Sequence, residues 1–238
     1  MRRSVLDRLR EARRANRPAA LVRNLRTGDA TLLLGREEAD GPPLAAELRE
    51  AVARAYARDR STSVDTPDGT VFIQVFNPPL RLIVVGAVHI AQPLAPMAAL
   101  AGYDVTVVDP RRAFASDERF PGIRVSREWP DEALEELRPD PRTAVVTLTH
   151  DPKLDDPALD VALRSEAFYV AALGSKRTHA QRLERLLAMG HDAAALARIH
   201  GPAGLPLGAV SPAESAVSIL AQMIQTLHQG GGGGGASE

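Results

Sequence analysis

Residues 80–121 read LRLIVVGAVHIAQPLAPMAALAGYDVTVVDPRRAFASDERFP, and the fold follows from them. An apolar run ends in a glycine turn at Gly86, a helical pattern follows, and a second apolar run ends in Asp109. That order opens a βαβ unit of dinucleotide-binding type, in which a phosphate rests on a helix N-terminus and an acidic residue meets a ribose. The glycine fingerprint itself is broken. The turn is Gly86-Ala87-Val88-His89-Ile90-Ala91, so Val88 stands where the second glycine of GxGxxG/A would let the backbone approach a pyrophosphate. A β-branched side chain fills that space and disfavours positive φ.

Working outward, strands and helices alternate strictly after Asn77-Pro78-Pro79. Short apolar strands are expected at 82–85, 105–108, 123–125, 144–148 and 169–173, as in a parallel sheet covered on both faces. Helices are expected near 90–100, 131–137, 157–164 and 176–189. A last helix should run from Pro212 to near His228, with Ser211 as N-cap and Glu214 completing a capping box. Before the Pro-Pro break, the pattern predicts a helix at 4–15 capped by Ser4, with Val5, Leu6 and Leu9 on one face. Strands at 19–25, 30–34 and 71–76 and a helix near 44–57 complete that part. The expected architecture is α/β: a small α+β N-terminal domain (1–78), a Rossmann-like parallel sheet with helices on both faces (79–229), and a flexible glycine-rich tail (230–238).

Composition narrows the function classes. A chain of 238 residues suffices for one full core plus a small accessory domain. Its net charge of -1 gives no global pull toward nucleic acid or anionic lipid. Lys153 and Lys176 are the only lysines beside many arginines, a bias of genome composition rather than a binding surface. The absence of cysteine excludes disulfides, thiolate metal sites, iron–sulfur ligation and a persulfide carried by this chain. No apolar run is long enough for a membrane helix, and Asp7 and Glu11 argue against a transit peptide at the arginine-rich start. Cytoplasmic residence is the default expectation.

Ligands of open parallel sheets sit outside the carboxyl ends of the strands, near the point where strand order reverses. Each polar cluster of the second domain falls at such an end. The first strand ends in Gly86 with His89, the second in Asp109 with Arg111, the fourth in Thr149-His150-Asp151, and the fifth in Gly174-Ser175-Lys176-Arg177. One crevice would collect them all. Asp109 either closes the turn before Pro110 or contacts a ligand, as an acidic residue at this position meets a ribose. Residues 174–177 form either an ordinary helix start or a phosphate site of free N–H groups and two cations. Arg111 and Arg119 are either solvated or suited to planar contact with phosphate or carboxylate. His89 and His150 lack metal-ligand spacing, and His200 reads as a brace for the following Gly-Pro loop. Without cysteine or a GxSxG elbow, no catalytic nucleophile is expected.

The same residues resemble the XdhC/CoxF/CoxI family of xanthine dehydrogenase accessory proteins. The resemblance rests on GAVHIA (86–91), DPRRAFA (109–115) with RFP (119–121), THD (149–151), GSKR (174–177), and GPAGLPLG (201–208) ahead of SPAESAVSILA (211–221). It spans residues 70–225, with two departures. GAVH stands where the family usually has GAGH, and the family's glycine-rich N-terminal loop with a cysteine is missing, so the first domain reads as a reduced version. The resemblance implies an accessory protein, non-catalytic rather than an enzyme. It would bind molybdenum cofactor, as molybdopterin or its cytosine dinucleotide, and assist its maturation or insertion into a molybdenum hydroxylase of xanthine or carbon monoxide dehydrogenase type. The binding residues would be Gly86, His89, Asp109, Arg111, Thr149, His150, Asp151, Gly174, Ser175, Lys176 and Arg177, with no metal ligand, and Asp109 would touch ribose or pterin. The implied partners are an apo molybdenum hydroxylase and, since this chain has no thiolate to receive sulfur, a cysteine desulfurase. A homodimer stays open; nucleic acid and membrane are not expected. The alternative is an NAD(P)-dependent oxidoreductase of Rossmann type, which requires an intact glycine loop, or else a site for a plain nucleotide.

Overall fold

The computed structural model describes residues 3–230, and contacts divide them at Pro78/Pro79. The glycine-rich tail expected at 230–238 lies, from residue 231 on, outside the described residues.

The first unit contains α1 (Arg3–Arg14), β1 (Ala19–Asn24), β2 (Ala30–Leu34), β3 (Glu37–Asp40), α2 (Ala46–Ala57), β4 (Thr62–Thr66) and β5 (Gly69–Phe76). Its strands pair antiparallel in the order β3-β2-β1-β5-β4. Side chains alternate across β1. Ala20 and Val22 pack with Ile73 against Ala51, Val52 and Ala55 of α2, whereas Leu21 meets Val5 and Ala19 meets Leu9 and Ala12 of α1. Two strands of this unit escape sequence reading: β3 (EEAD) and β4 (TSVDT) lie at the edges and carry no apolar alternation. Ser4 is not a cap. It sits inside α1, and its hydroxyl donates to Asp40 Oδ2 (3.3 Å).

The second unit contains β6 (Leu80–Val85), α3 (Ala91–Leu100), β7 (Tyr103–Val108), β8 (Arg124–Ser126), α4 (Pro130–Leu137), β9 (Thr143–Thr147), α5 (Pro152–Arg164), β10 (Tyr169–Ala172), α6 (Lys176–Ala188), α7 (Ala193–Leu196), β11 (Ile199–His200) and α8 (Pro212–Gly230). The parallel sheet runs β11-β10-β9-β6-β7-β8. The chain therefore winds outward from β6 through β7 to β8, then restarts at β9 on the other side. Strand order reverses between β6 and β9. One face packs on α3 and α8 through Leu82, Val84, Val146, Leu94 and Ile219; the other packs on α4, α5 and α6 through Ile83, Val145, Val170, Leu134, Leu159 and Leu186. Helix α5 starts five residues earlier than expected. Asp151 caps it by accepting the Lys153 N–H (3.0 Å), Pro152 takes its first turn, and Pro157 is accommodated inside. The Ser211–Glu214 capping box is present: the Glu214 N–H donates to Ser211 Oγ (3.2 Å), and the Ser211 N–H donates to Glu214 Oε2 (3.1 Å).

Candidate functional site

The apolar run of β6 ends where Gly86 turns the chain at φ +106°. A Cβ there would lie 2.6 Å from Thr149 Cγ2, so the loops after β6 and β9 touch where strand order reverses. Glycine is needed for both reasons. The next N–H, of Ala87, donates to Asp109 Oδ2 (2.8 Å) across the end of β7. Val88 does not adopt positive φ and packs against the α3/α8 core.

Asp109 has 0% exposure. Its carboxylate accepts the Arg111 N–H (3.0 Å), Arg111 Nε (2.9 Å), Arg111 Nη2 (2.8 Å) and the Ala87 N–H. Burial alone would raise its pKa; the hydrogen bonds from Arg111 and Ala87 outweigh burial and hold it below the ordinary carboxylate value. A direct contact between Asp109 and a ribose or pterin is therefore a correction to the sequence expectation. The carboxylate is enclosed, and its acceptor capacity is taken by the loop and by Arg111. What reaches solvent is Arg111, whose side chain is 36% exposed. Its guanidinium is held bidentately and lies 4.5 Å from the Phe114 ring centroid. The Asp109 hydrogen bond raises the Arg111 pKa against a smaller effect of burial, and the charges of Asp151 and Asp155 add to it. The ends of β7 and β9 thus share one field. Arg119 is a brace: it donates to the carbonyls of Ala87 (2.9 Å) and Phe114 (2.8 Å) and to Gln92 Oε1 (3.1 Å).

After β9, Asp155 of α5 organises the loop. It is buried, and accepts the Thr149 hydroxyl (2.6 Å), the Thr149 N–H (3.3 Å) and the His150 N–H (3.1 Å). His150 is exposed at φ +62°, and Asp151 is exposed at the start of α5. Burial raises the Asp155 pKa against the Thr149 hydrogen bond and the Arg182 charge. Arg182 of α6 faces it at 3.6 Å and donates to the Leu173 carbonyl (2.9 Å), joining the loops after β9 and β10. Its side chain is 2% exposed, and its Nε and Nη1 have no hydrogen-bond partner among the described residues. Sequence reading misses both residues. Each sits on a helix that reads as apolar packing plus solvated charge, and burial of a charge leaves no sequence signal.

At the end of β10, Gly174 (φ +146°) leads into Ser175, which caps α6 by accepting the Thr178 N–H (3.1 Å). Lys176 and Arg177 follow in the first helical turn, both exposed. The structure therefore links Gly86, Asp109, Arg111, Thr149, His150, Asp151 and Gly174 through bonds, contacts and shared charges, with Asp155 and Arg182 beneath. His89 is exposed in the turn before α3, with no bond to this network among the described residues. His200 stacks on Tyr169 (4.8 Å between centroids). Chemically, the strand ends offer a fixed exposed guanidinium, two further cations and a helix start, which suits a phosphorylated ligand.

Comparisons with known proteins bear on the family and the fold. The family described as the XdhC Rossmann domain matches residues 82–223. A protein of Bacillus subtilis (strain 168), named as a probable xanthine dehydrogenase subunit, is 35% identical over 157 residues, 66% of this chain and 46% of the relative. The "Molybdenum cofactor insertion chaperone PaoD" of Escherichia coli (strain K12) is 31% identical over 214 residues, 85% of this chain and 61% of the relative. A crystal structure from Bacillus halodurans, described as a xanthine dehydrogenase, aligns with TM-score 0.70 at 25% identity, over 95% of this chain and 65% of that one. The chain spans less than two thirds of the length of each of these proteins.

Proposed function

This chain belongs to the XdhC family, and from that premise we propose that it is a cytoplasmic maturation factor. It binds molybdenum cofactor at the strand ends of the second unit and passes it to an apo molybdenum hydroxylase of xanthine or carbon monoxide dehydrogenase type. The names of two relatives, a molybdenum cofactor insertion chaperone and a probable xanthine dehydrogenase subunit, support the role. The observation that carries the site is the Asp109–Arg111 corner, where an enclosed carboxylate holds a partly exposed guanidinium at the end of β7. Molybdopterin ends in a phosphate and its cytosine dinucleotide form carries a bridging pyrophosphate, and both need fixed cations and N–H donors. In this reading Arg111 grips the phosphate from one side. Lys176, Arg177 and the first turn of α6 approach it from the other. Gly86 and Gly174 let the backbone come close, and Thr149, His150 and Asp151 line the wall between them. Asp109 acts through Arg111 and the Ala87 N–H, as a positioning residue.

The absence of cysteine assigns sulfuration of the cofactor to a partner, for which a cysteine desulfurase is the proposed chemistry. Anaerobic purification from cells that make the cofactor, followed by mass spectrometry of the extracted pterin, tests the proposal. Molybdopterin or its cytosine dinucleotide is expected. Protein that carries NAD(P) and no pterin would refute it and favour an oxidoreductase.

A further inference from the structure

The two edges of the N-terminal sheet are unlike. The β3 edge is irregular: its pairing with β2 shifts register between Leu32 and Leu33, and its glutamates are engaged by Arg17 (2.8 Å) and Arg49 (2.9 Å). These are the features that keep a sheet edge from taking another strand. The β4 edge lacks them. It pairs with β5 in unbroken register from Thr62 to Thr66, and its one carboxylate, Asp65, accepts the Thr70 hydroxyl (2.8 Å).

A hollow of about 490 Å³ runs along this edge. Ala51 and Ala55 of α2 line it, and so does Phe72 of β5. Because Val71 and Ile73 pack on α2, the alternation of β5 turns Phe72 to the opposite face of the sheet. The hollow is thus walled from both faces at an open edge, which is the shape of a place for one more strand. Arg54, Arg58 and Arg60 stand on its rim, all exposed. Arg54 has only a 3.7 Å contact with Glu50, and Arg58 and Arg60 have no ion pair among the described residues. Nearby Asp59 is hydrogen-bonded by Asn77 (2.6 Å).

We propose that this β4 edge takes an extended acidic segment of a partner protein as an added strand. Main-chain bonds to β4 would supply the pairing, acidic side chains on the α2 side would meet the arginines, and apolar ones on the other side would meet Phe72. Charge selects the occupant. A second copy pairing through the same edge would set its own arginines against these.

The test uses the full chain and a fluorescein-labelled heptapeptide of alternating glutamate and valine, titrated by fluorescence anisotropy at low salt. Saturable binding is expected, with amide resonance shifts centred on Thr62–Thr66. The exposed triple variant Arg54→Glu/Arg58→Glu/Arg60→Glu should keep its circular dichroism and weaken binding about tenfold or more. A probe N-methylated at alternate residues should lose binding, because it lacks donors for the ladder. No saturable binding to the unaltered chain would overturn the proposal, as would undiminished binding to the triple variant. Equal binding of the N-methylated probe, or full competition by tripolyphosphate, would make the hollow a plain anion patch and also overturn it. So would self-association that the triple variant abolishes, since a second copy would then be the occupant.

Discussion

Two aspartate–arginine pairs lie under the strand ends, and they do opposite work. In Asp109–Arg111 only the carboxylate is enclosed; the arginine is gripped bidentately and presented outward. In Asp155–Arg182 both partners are enclosed, at a looser 3.6 Å, with two guanidinium nitrogens left without a hydrogen-bond partner among the described residues. The pKa directions mirror this. Asp109 is lowered and Arg111 raised, because their hydrogen bonds outweigh burial; Asp155 is raised and Arg182 lowered, because burial outweighs their attraction. The same two residue types form an oriented, partly exposed cation in one place and a tie between two loops in the other. Solvent access to the guanidinium makes the difference.

The largest effect should come from breaking the enclosed pair. Arg182→Ala leaves a buried carboxylate without its cation and removes the bond to Leu173, so urea unfolding at about pH 7 should show a loss of about 3–5 kcal/mol. A carboxylate with a raised folded pKa contributes fully below its ordinary value and loses that contribution as pH rises through the folded value. The defect in Arg182→Ala should therefore grow with pH above the ordinary 3.8 of Asp155. Arg182→Met combined with Asp155→Leu should recover most of the stability, since an apolar pair needs no counter-charge. A double variant as unstable as Arg182→Ala alone would show that the unpaired buried charge is not the source of the loss.

Asp109→Asn probes the open pair. It lets Arg111 swing free, and cofactor retention should fall by roughly tenfold, about 1.4 kcal/mol, measured by anaerobic titration with molybdopterin. Its pH signature is the reverse of the other pair. A lowered folded pKa contributes stability above the ordinary 3.8, which is lost as pH falls through the folded value. Asp109→Asn should thus flatten the acid limb of the stability profile while lowering stability at neutral pH. An unchanged acid limb would remove Asp109 from this role.

Smaller effects are expected at the exposed cations. Lys176→Ala and Arg177→Ala should each weaken molybdopterin binding by less than about tenfold, because solvent screens them, and salt should mask the difference. The smallest signal concerns nucleotides. With Val88 in the loop and Asp109 enclosed, calorimetry should detect no micromolar binding of NAD(H) or NADP(H). Val88→Gly alone should gain little, because the Asp109 carboxylate is already taken by Arg111 and the Ala87 N–H. Tight binding by the unaltered chain would revive the dinucleotide reading.

Much of the second unit is legible in the sequence because its strands are uniform apolar runs that end in glycine or in polar clusters, as at Val85-Gly86 and Leu173-Gly174. Helix α5 is expected too late because Pro157 reads as a start, although Asp151-Pro152 carries the true cap and first turn. The edge strands β3 and β4 are invisible: EEAD and TSVDT lie at sheet edges and need no apolar period. At the site, the positions of Asp109 and Arg111 are readable, but the direction of the carboxylate is not. Whether Asp109 faces a ligand or its own loop depends on the Ala87 N–H, which becomes its neighbour only when β6 and β7 pair. Asp155 and Arg182 escape for a related reason. Each becomes a buried charge only through packing of α5 and α6 on the sheet.

In the proposed site Arg111, aimed by Asp109, grips the phosphate of the pterin. Anaerobic titration of molybdopterin into the unaltered chain and into Arg111→Ala, with thermal unfolding of both, tests it most directly. Affinity should fall by about ten- to a hundredfold, or about 1.5–3 kcal/mol for one charge-assisted contact, in a protein that remains folded. Equal affinity in a folded Arg111→Ala protein would contradict it.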